Sequence, residues 1–143
     1  SSAASDVYKR QLLKGRKIMF PIDLVESIIA LKCNMWKVTN SMSRRYDLWD
    51  PNNKEGKNRI LVQATTNAVF QMVLADSYMK EIDRVFFVKL FILDETTLHY
   101  EIYDFDIEMI YENIEKRPYT RRVIIKYDDI KNIPYNNIIV GEL

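Results

Sequence analysis

The chain has 143 residues, enough for one domain with its own hydrophobic core, and an apolar fraction of 48%, ordinary for a globular protein. A single cysteine excludes an internal disulfide, three glycines argue against a phosphate-cradling loop, and no run approaches 18 apolar residues, so no membrane-spanning helix is expected. Net charge is +1 but uneven: residues 1–60 hold 12 Lys/Arg and 6 Asp/Glu (+6), residues 61–143 hold 9 and 14 (−5).

The opening string, Ser1 to Gln11, resembles translated sequencing-adapter text. Residues 1–19 are therefore expected to be a non-native or disordered leader, with residues 20–143 forming a single α+β domain. The closing run from Ile138 to Leu143 reads like the interior of a longer chain. Phe20-Pro21 opens a helix, because Pro fits the first helical position and Asp23 and Glu26 complement the positive end of the helix dipole. Leu24, Val25, Ile28, Ile29, Leu31 and Met35 recur with helical spacing, and the helix is expected to end near Lys37.

Residues 39–58 are polar and turn-rich, with Asp50-Pro51-Asn52-Asn53 as the strongest turn signal. They predict a mobile surface loop, with a short edge strand over residues 45–49. Leu61, Ala64, Ala68, Met72, Ala75, Met79 and Ile82 recur at spacings of three and four, which predicts a second helix over 59–82.

Residues 84–93 are rich in β-branched and aromatic side chains, Asp94-Glu95-Thr96-Thr97 is a turn, and residues 98–103 return as a second strand. With Leu93 across from Leu98, one face of this hairpin carries Phe87, Phe91, Leu93, Leu98, Tyr100 and Ile102, interrupted by Lys89. The other carries Phe86, Val88, Leu90 and Ile92 with His99, Glu101 and Tyr103. Two largely apolar faces place the hairpin at the centre of a sheet covered on both sides.

Ile107, Ile110, Tyr111 and Ile114 predict a third helix capped by Asp106 and ended by Pro118. A strand over 121–127 follows, ended by Asp128-Asp129, then a turn over 132–134 and a short last strand over 137–140. This order excludes a regularly alternating α/β fold. It predicts three helices packed on a small mixed or antiparallel sheet, with the hairpin at about 84–103 in the centre.

No stretch carries a motif that names a reaction, and the chain leans towards a non-enzymatic protein without a cofactor. Glu101, Asp104, Asp106 and Glu108 form a dense acidic cluster; Glu101, Asp104 and Asp106 are weak candidates for a divalent metal, while Asp106 and Glu108 already suit a helix N-terminus. His99 has no nucleophile partner, and Cys33, near the end of an apolar helix, reads as a small core residue. Arg44, Arg45, Tyr46, Trp49, Lys54, Lys57 and Arg59 mix cations with aromatics in or beside the polar loop, and Arg121 and Arg122 lie in a second basic patch. That mixture suits a protein-docking surface or a nucleic-acid one.

The expected function is a protein-interaction module or a subunit of a larger assembly, intracellular, engaging a protein partner or itself and not a membrane. The alternatives are RNA or DNA binding, and a metal-dependent nuclease or transferase.

Overall fold

A computed structural model describes residues 22–38, 45–73, 77–94, 97–114 and 122–142. Helix α1 (Ile22–Cys33) is followed by β1 (Trp36–Lys37), β2 (Leu48–Trp49), β3 (Arg59–Thr65), β4 (Val69–Val73) and a single helical turn, α2 (Tyr78–Glu81). Then come β5 (Arg84–Ile92), β6 (Leu98–Asp106), α3 (Ile107–Asn113), β7 (Arg122–Lys126), the turn α4 (Tyr127–Ile130) and β8 (Asn137–Glu142). The fold is α+β, with helices packed on a small mixed sheet and the hairpin at its centre.

Six strands form the main sheet in the order β1-β2-β3-β5-β6-β8, and β4 pairs with β7 in a separate two-stranded sheet. Only β3 and β5 run parallel; the other pairs are antiparallel. Helix α1 covers one face, where Val25, Ile29 and Ala30 meet Leu48, Ile60, Val62, Phe86, Val88, Leu90, Tyr100 and Ile102. The β4–β7 pair, α3 and α4 cover the other, where Phe70, Met72, Ile110, Ile125 and Ile130 meet Val85, Phe87, Tyr103 and Phe105. The hairpin is thus covered on both faces along most of its length, while Ile92 and Leu93 at its turn end stay exposed.

The helix expected over 59–82 is absent; the segment is β3, β4 and α2. Its three-and-four spacing is real, but Ile60 and Val62, and then Phe70 and Met72, also alternate with period two, and these are the buried residues. Leu61 packs on the opposite face from Ile60 and Val62, so β3 is apolar on both sides and hides its own alternation. β-Branched Ile60, Val62, Thr65, Val69 and Val73 fit strands better than a helix.

Helix α1 stops earlier than its apolar pattern suggests. Asn34 takes a left-handed conformation (φ 54°), and the Met35 N–H closes back onto the Ala30 carbonyl at 2.9 Å. This turn releases Trp36 and Lys37 into β1. The expected edge strand near Trp49 exists as β2, but β1 lies outside it.

The hairpin register also differs by one. Ile92 lies across from Leu98, and the Leu93 N–H bonds the Thr97 carbonyl at 3.1 Å. A one-residue slip exchanges the faces of one strand relative to the other. Phe86, Val88 and Leu90 therefore share a face with Leu98, Tyr100 and Ile102, not with His99 and Tyr103. Lys89, which interrupts the opposite face, donates to the Thr66 and Asn67 carbonyls at 2.9 and 2.6 Å, and burial lowers its pKa.

Asp106 caps α3 by position, without a side-chain cap bond. Asp128 and Asp129 do not simply end a strand; they belong to α4. The last strand runs on to Glu142 and pairs with β6 along six residues.

Glu26 is a buried acid on the sheet-facing side of α1. Burial and the neighbouring Asp47 carboxylate push its pKa from 4.5 up to about 7, with Lys37 opposing. Asp47 is itself raised by burial, and its Oδ2 accepts the Val62 N–H at 2.7 Å. The folded state thus holds the Glu26 proton more tightly than the unfolded chain does. Its contribution is full below about pH 4.5 and is lost as pH rises through about 7. Glu26→Gln should flatten that slope. In urea denaturation its stability relative to the parent should rise by on the order of 1–3 kcal/mol between pH 5 and pH 8. Parallel pH profiles for the two proteins would contradict the assignment.

Candidate functional site

Two features stand out once the strands are in place: a charged cleft at one end of the sheet and the open edge of β8. The cleft encloses about 400 Å³ and is lined by the 50–57 turn, Arg84, Asp104, Asp106 and Asn136. Its floor is an ion cluster. Arg84, the first residue of β5, places its Nη2 2.6 Å from Asp50 Oδ2, its Nη1 2.9 Å from Asp104 Oδ2, and its Nε 3.1 Å from the Lys57 carbonyl. Arg84 is 6% exposed and both aspartates 7%. A cation opening a strand that is covered on both faces needs such partners. Nothing local in the sequence pairs Asp50 and Asp104 with Arg84, because they are 34 and 20 residues away.

Burial raises the pKa of Asp104, and the Arg84 charge opposes it. Asp104 Oδ1 is buried without a hydrogen-bond partner among the described residues. Asp106, one step further along the same side of β6, pairs with Lys57 Nζ at 2.8 Å and accepts the Asn136 amide at 2.8 Å; its net shift is downward although burial pushes the other way. The Asn136 N–H also bonds the Asp104 carbonyl at 2.8 Å. The cluster therefore fixes the point at which the chain enters β8.

The polar connection is well tied over its described part. Asp50 Oδ1 accepts the Asn52 N–H, Asn53 Oδ1 accepts the Glu55 and Lys57 N–H groups, and Gly56 supplies the positive φ (78°) that closes the turn.

Of the residues picked out from sequence, Lys54, Lys57, Asp104 and Asp106 line this cleft. Glu101 does not join them. It lies on the opposite face, where it accepts hydrogen bonds from Tyr103 and, at short range, Tyr127. Among the described residues no group of three His, Cys, Asp or Glu side chains is placed to hold a metal ion, and Arg84 and Lys57 already occupy the Asp104 and Asp106 carboxylates.

Arg59 is locked onto Asp83 by Nε and Nη2 at 3.0 Å each, and Arg45 lies 2.6 Å from Glu81. Tyr46 and Trp49 pack with ring centroids 6.2 Å apart. Trp49 also faces Trp36 across the β1–β2 pair. Arg122 opens β7 across from Val73, whereas Arg44 and Arg121 lie outside the described residues. His99 rests against Phe91 at 5.8 Å, and burial pushes the Cys33 thiol upward, away from an activated thiolate.

The second feature is β8. The Leu93–Thr97 bond and the Ile107 N–H to Asp83 carbonyl bond, one step beyond each end of the β5–β6 pair and in its register, both join odd-numbered partners. Antiparallel pairing alternates, so the even-numbered residues of β6 turn their backbone groups towards β8, where their partners are Asn137, Ile139 and Gly141. The N–H and C=O groups of Ile138, Val140 and Glu142 therefore point away from β6. Among the described residues no strand pairs with that side.

The edge lacks the usual protection: residues 137–142 contain no Pro, Lys or Arg, and Val140 is 60% exposed. At the opposite edge, β1 is only two residues long and includes Lys37. Sequence reasoning placed a strand here but not at an edge, since edge position depends on the order of strands in the sheet.

The chain matches no protein-family model, no curated protein and no solved structure.

Proposed function

We propose that this protein is an interaction module that takes up its partner by strand addition along β8. The observation that carries this reading is the row of outward-facing backbone groups at Ile138, Val140 and Glu142, with no proline or basic side chain to blunt it and a single carboxylate at its end. Main-chain hydrogen bonds would supply affinity, and the alternating side chains Ile138, Ile139 and Val140 would supply selectivity. The buried Arg84 cluster supports the role indirectly by fixing Asn136 at the entrance to the strand. A nucleic-acid surface on the polar connection draws less support, because Arg45, Lys57 and Arg59 are each paired with a carboxylate.

Amide hydrogen exchange tests the reading directly. At a dilution where the protein is monomeric, Ile138, Val140 and Glu142 should exchange roughly 100-fold faster than Ile139 and Gly141, a ratio equivalent to about 2.8 kcal/mol of opening free energy. Addition of a strand should remove that alternation. Equal protection of both sets in the monomer would mean that the chain itself covers the edge, and the proposal would fall.

A further inference from the structure

We infer that the strand added to β8 is a second copy of β8 itself, paired antiparallel about a two-fold axis through Ile139. This inference rests on the strand-addition reading and specifies its partner. An isologous antiparallel pair must join outward-facing residues to outward-facing residues, so only registers that match even-numbered positions are allowed. In the register centred on Ile139, Ile138 lies opposite Val140 of the second copy, Val140 opposite its Ile138, and Ile139 opposite its Ile139. Every apolar residue of β8 then meets an apolar residue.

The same register sets Gly141 opposite Asn137 and Glu142 opposite Asn136, so the two Glu142 carboxylates are not paired with each other. Centring on Val140 instead would place Ile138 against Glu142 and Ile139 against Gly141, which wastes the apolar matches. The strand also carries no cation that would repel or reorient a copy. The result is one continuous sheet of twelve strands, in which the two-residue β1 becomes the edge at both ends. A strand-on-strand contact of this length lies at the low end of specific interfaces, roughly 1,200 Å² or less, so the dimer should dissociate on dilution.

The test combines mass with register-specific crosslinking. Light scattering across a concentration series should show monomer passing to dimer and no further. Val140→Pro removes an N–H that faces away from β6 and should shift that midpoint upward by about tenfold or more, with the fold followed by circular dichroism. In a Cys33→Ser background, Ile139→Cys should crosslink to dimer under mild oxidation, since the two positions face each other in a wide pair with Cα atoms about 4.5 Å apart. Val140→Cys should crosslink poorly, because its copies are diagonal at about 7–8 Å.

Crosslinking through position 140 and not 139 would overturn the inference. So would a wild-type chain that stays monomeric at every concentration, a result that does not depend on any variant. A monomer with fast exchange at Ile138, Val140 and Glu142 overturns self-pairing alone and leaves the edge open to another chain. A monomer with those amides protected overturns the strand-addition reading as well.

Discussion

Arg84→Ala should destabilise the protein by about 3–5 kcal/mol, a large share of a single domain's stability. The guanidinium is buried and touches two buried carboxylates and one carbonyl. The ion cluster as a whole need not stabilise the fold, since taking three charges out of water offsets most of their attraction. Its truncation is another matter. Asp50 and Asp104 would remain buried, like-charged and unpaired, and the Lys57 carbonyl would lose its donor.

The pH dependence separates this cause from simple loss of packing. Burial already holds the Asp104 pKa up, and Arg84 is what opposes the rise. Without the arginine the folded state binds protons more tightly than the unfolded chain, so stability missing at neutral pH should partly return as pH falls through the carboxylate range. Adding Asp104→Asn to Arg84→Ala should recover part of the loss at pH 7 for the same reason. Urea denaturation of the single and double variants at pH 5 and pH 7 measures both effects. A loss below about 1 kcal/mol, unchanged by pH, would mean that water replaces the guanidinium without penalty. Because Asn136 hangs from Asp104 and Asp106, the same variant should also loosen the start of β8.

The difference between what was legible and what was not follows the range of the interactions. The hairpin, helix α1, helix α3 and the final strand announce themselves through local pattern and turn chemistry, and all are present. The 59–82 segment misleads because β3 is buried on both faces, so Leu61 fills the position where a polar residue would have marked the alternation. The one-residue slip in the hairpin has a similar origin. With apolar residues on both faces of each strand, hydrophobicity cannot choose between registers, and the choice falls to the turn.

The site was less legible still. Lys57, Asp104 and Asp106 were visible as charged residues, but their keystone Arg84 reads locally as the polar start of an apolar run. The edge character of β8 is a property of the whole sheet and has no signature in its own six residues beyond the missing lysines and prolines.

Phe87→Ala should cost about 3–5 kcal/mol, and its packing explains why this ring matters more than Phe91 further along the same face of β5. Phe87 is fully buried where the two sheets meet. It stands edge-on to Phe70 of β4 at 5.0 Å and to Phe105 of β6 at 5.7 Å, so it joins the main sheet to the small one. Phe91, on the same face four residues on, is only half-buried and lies against His99 and Tyr127. Phe91→Ala should therefore cost less, about 1–2 kcal/mol.

The rigid surroundings sharpen the contrast. Phe87 is flanked in the sheet by Gln63 of β3 and Tyr103 of β6, and a cavity there cannot close by moving a surface strand. If the loss were only hydrophobic transfer, Phe87→Leu would restore most of it. If the two edge-on rings contribute in their own right, Phe87→Leu should still fall short by about 1 kcal/mol or more. Denaturant unfolding of Phe87→Ala, Phe87→Leu and Phe91→Ala decides the matter. Equal losses at positions 87 and 91 would place the ring interface elsewhere and refute the packing of β4–β7 on this face.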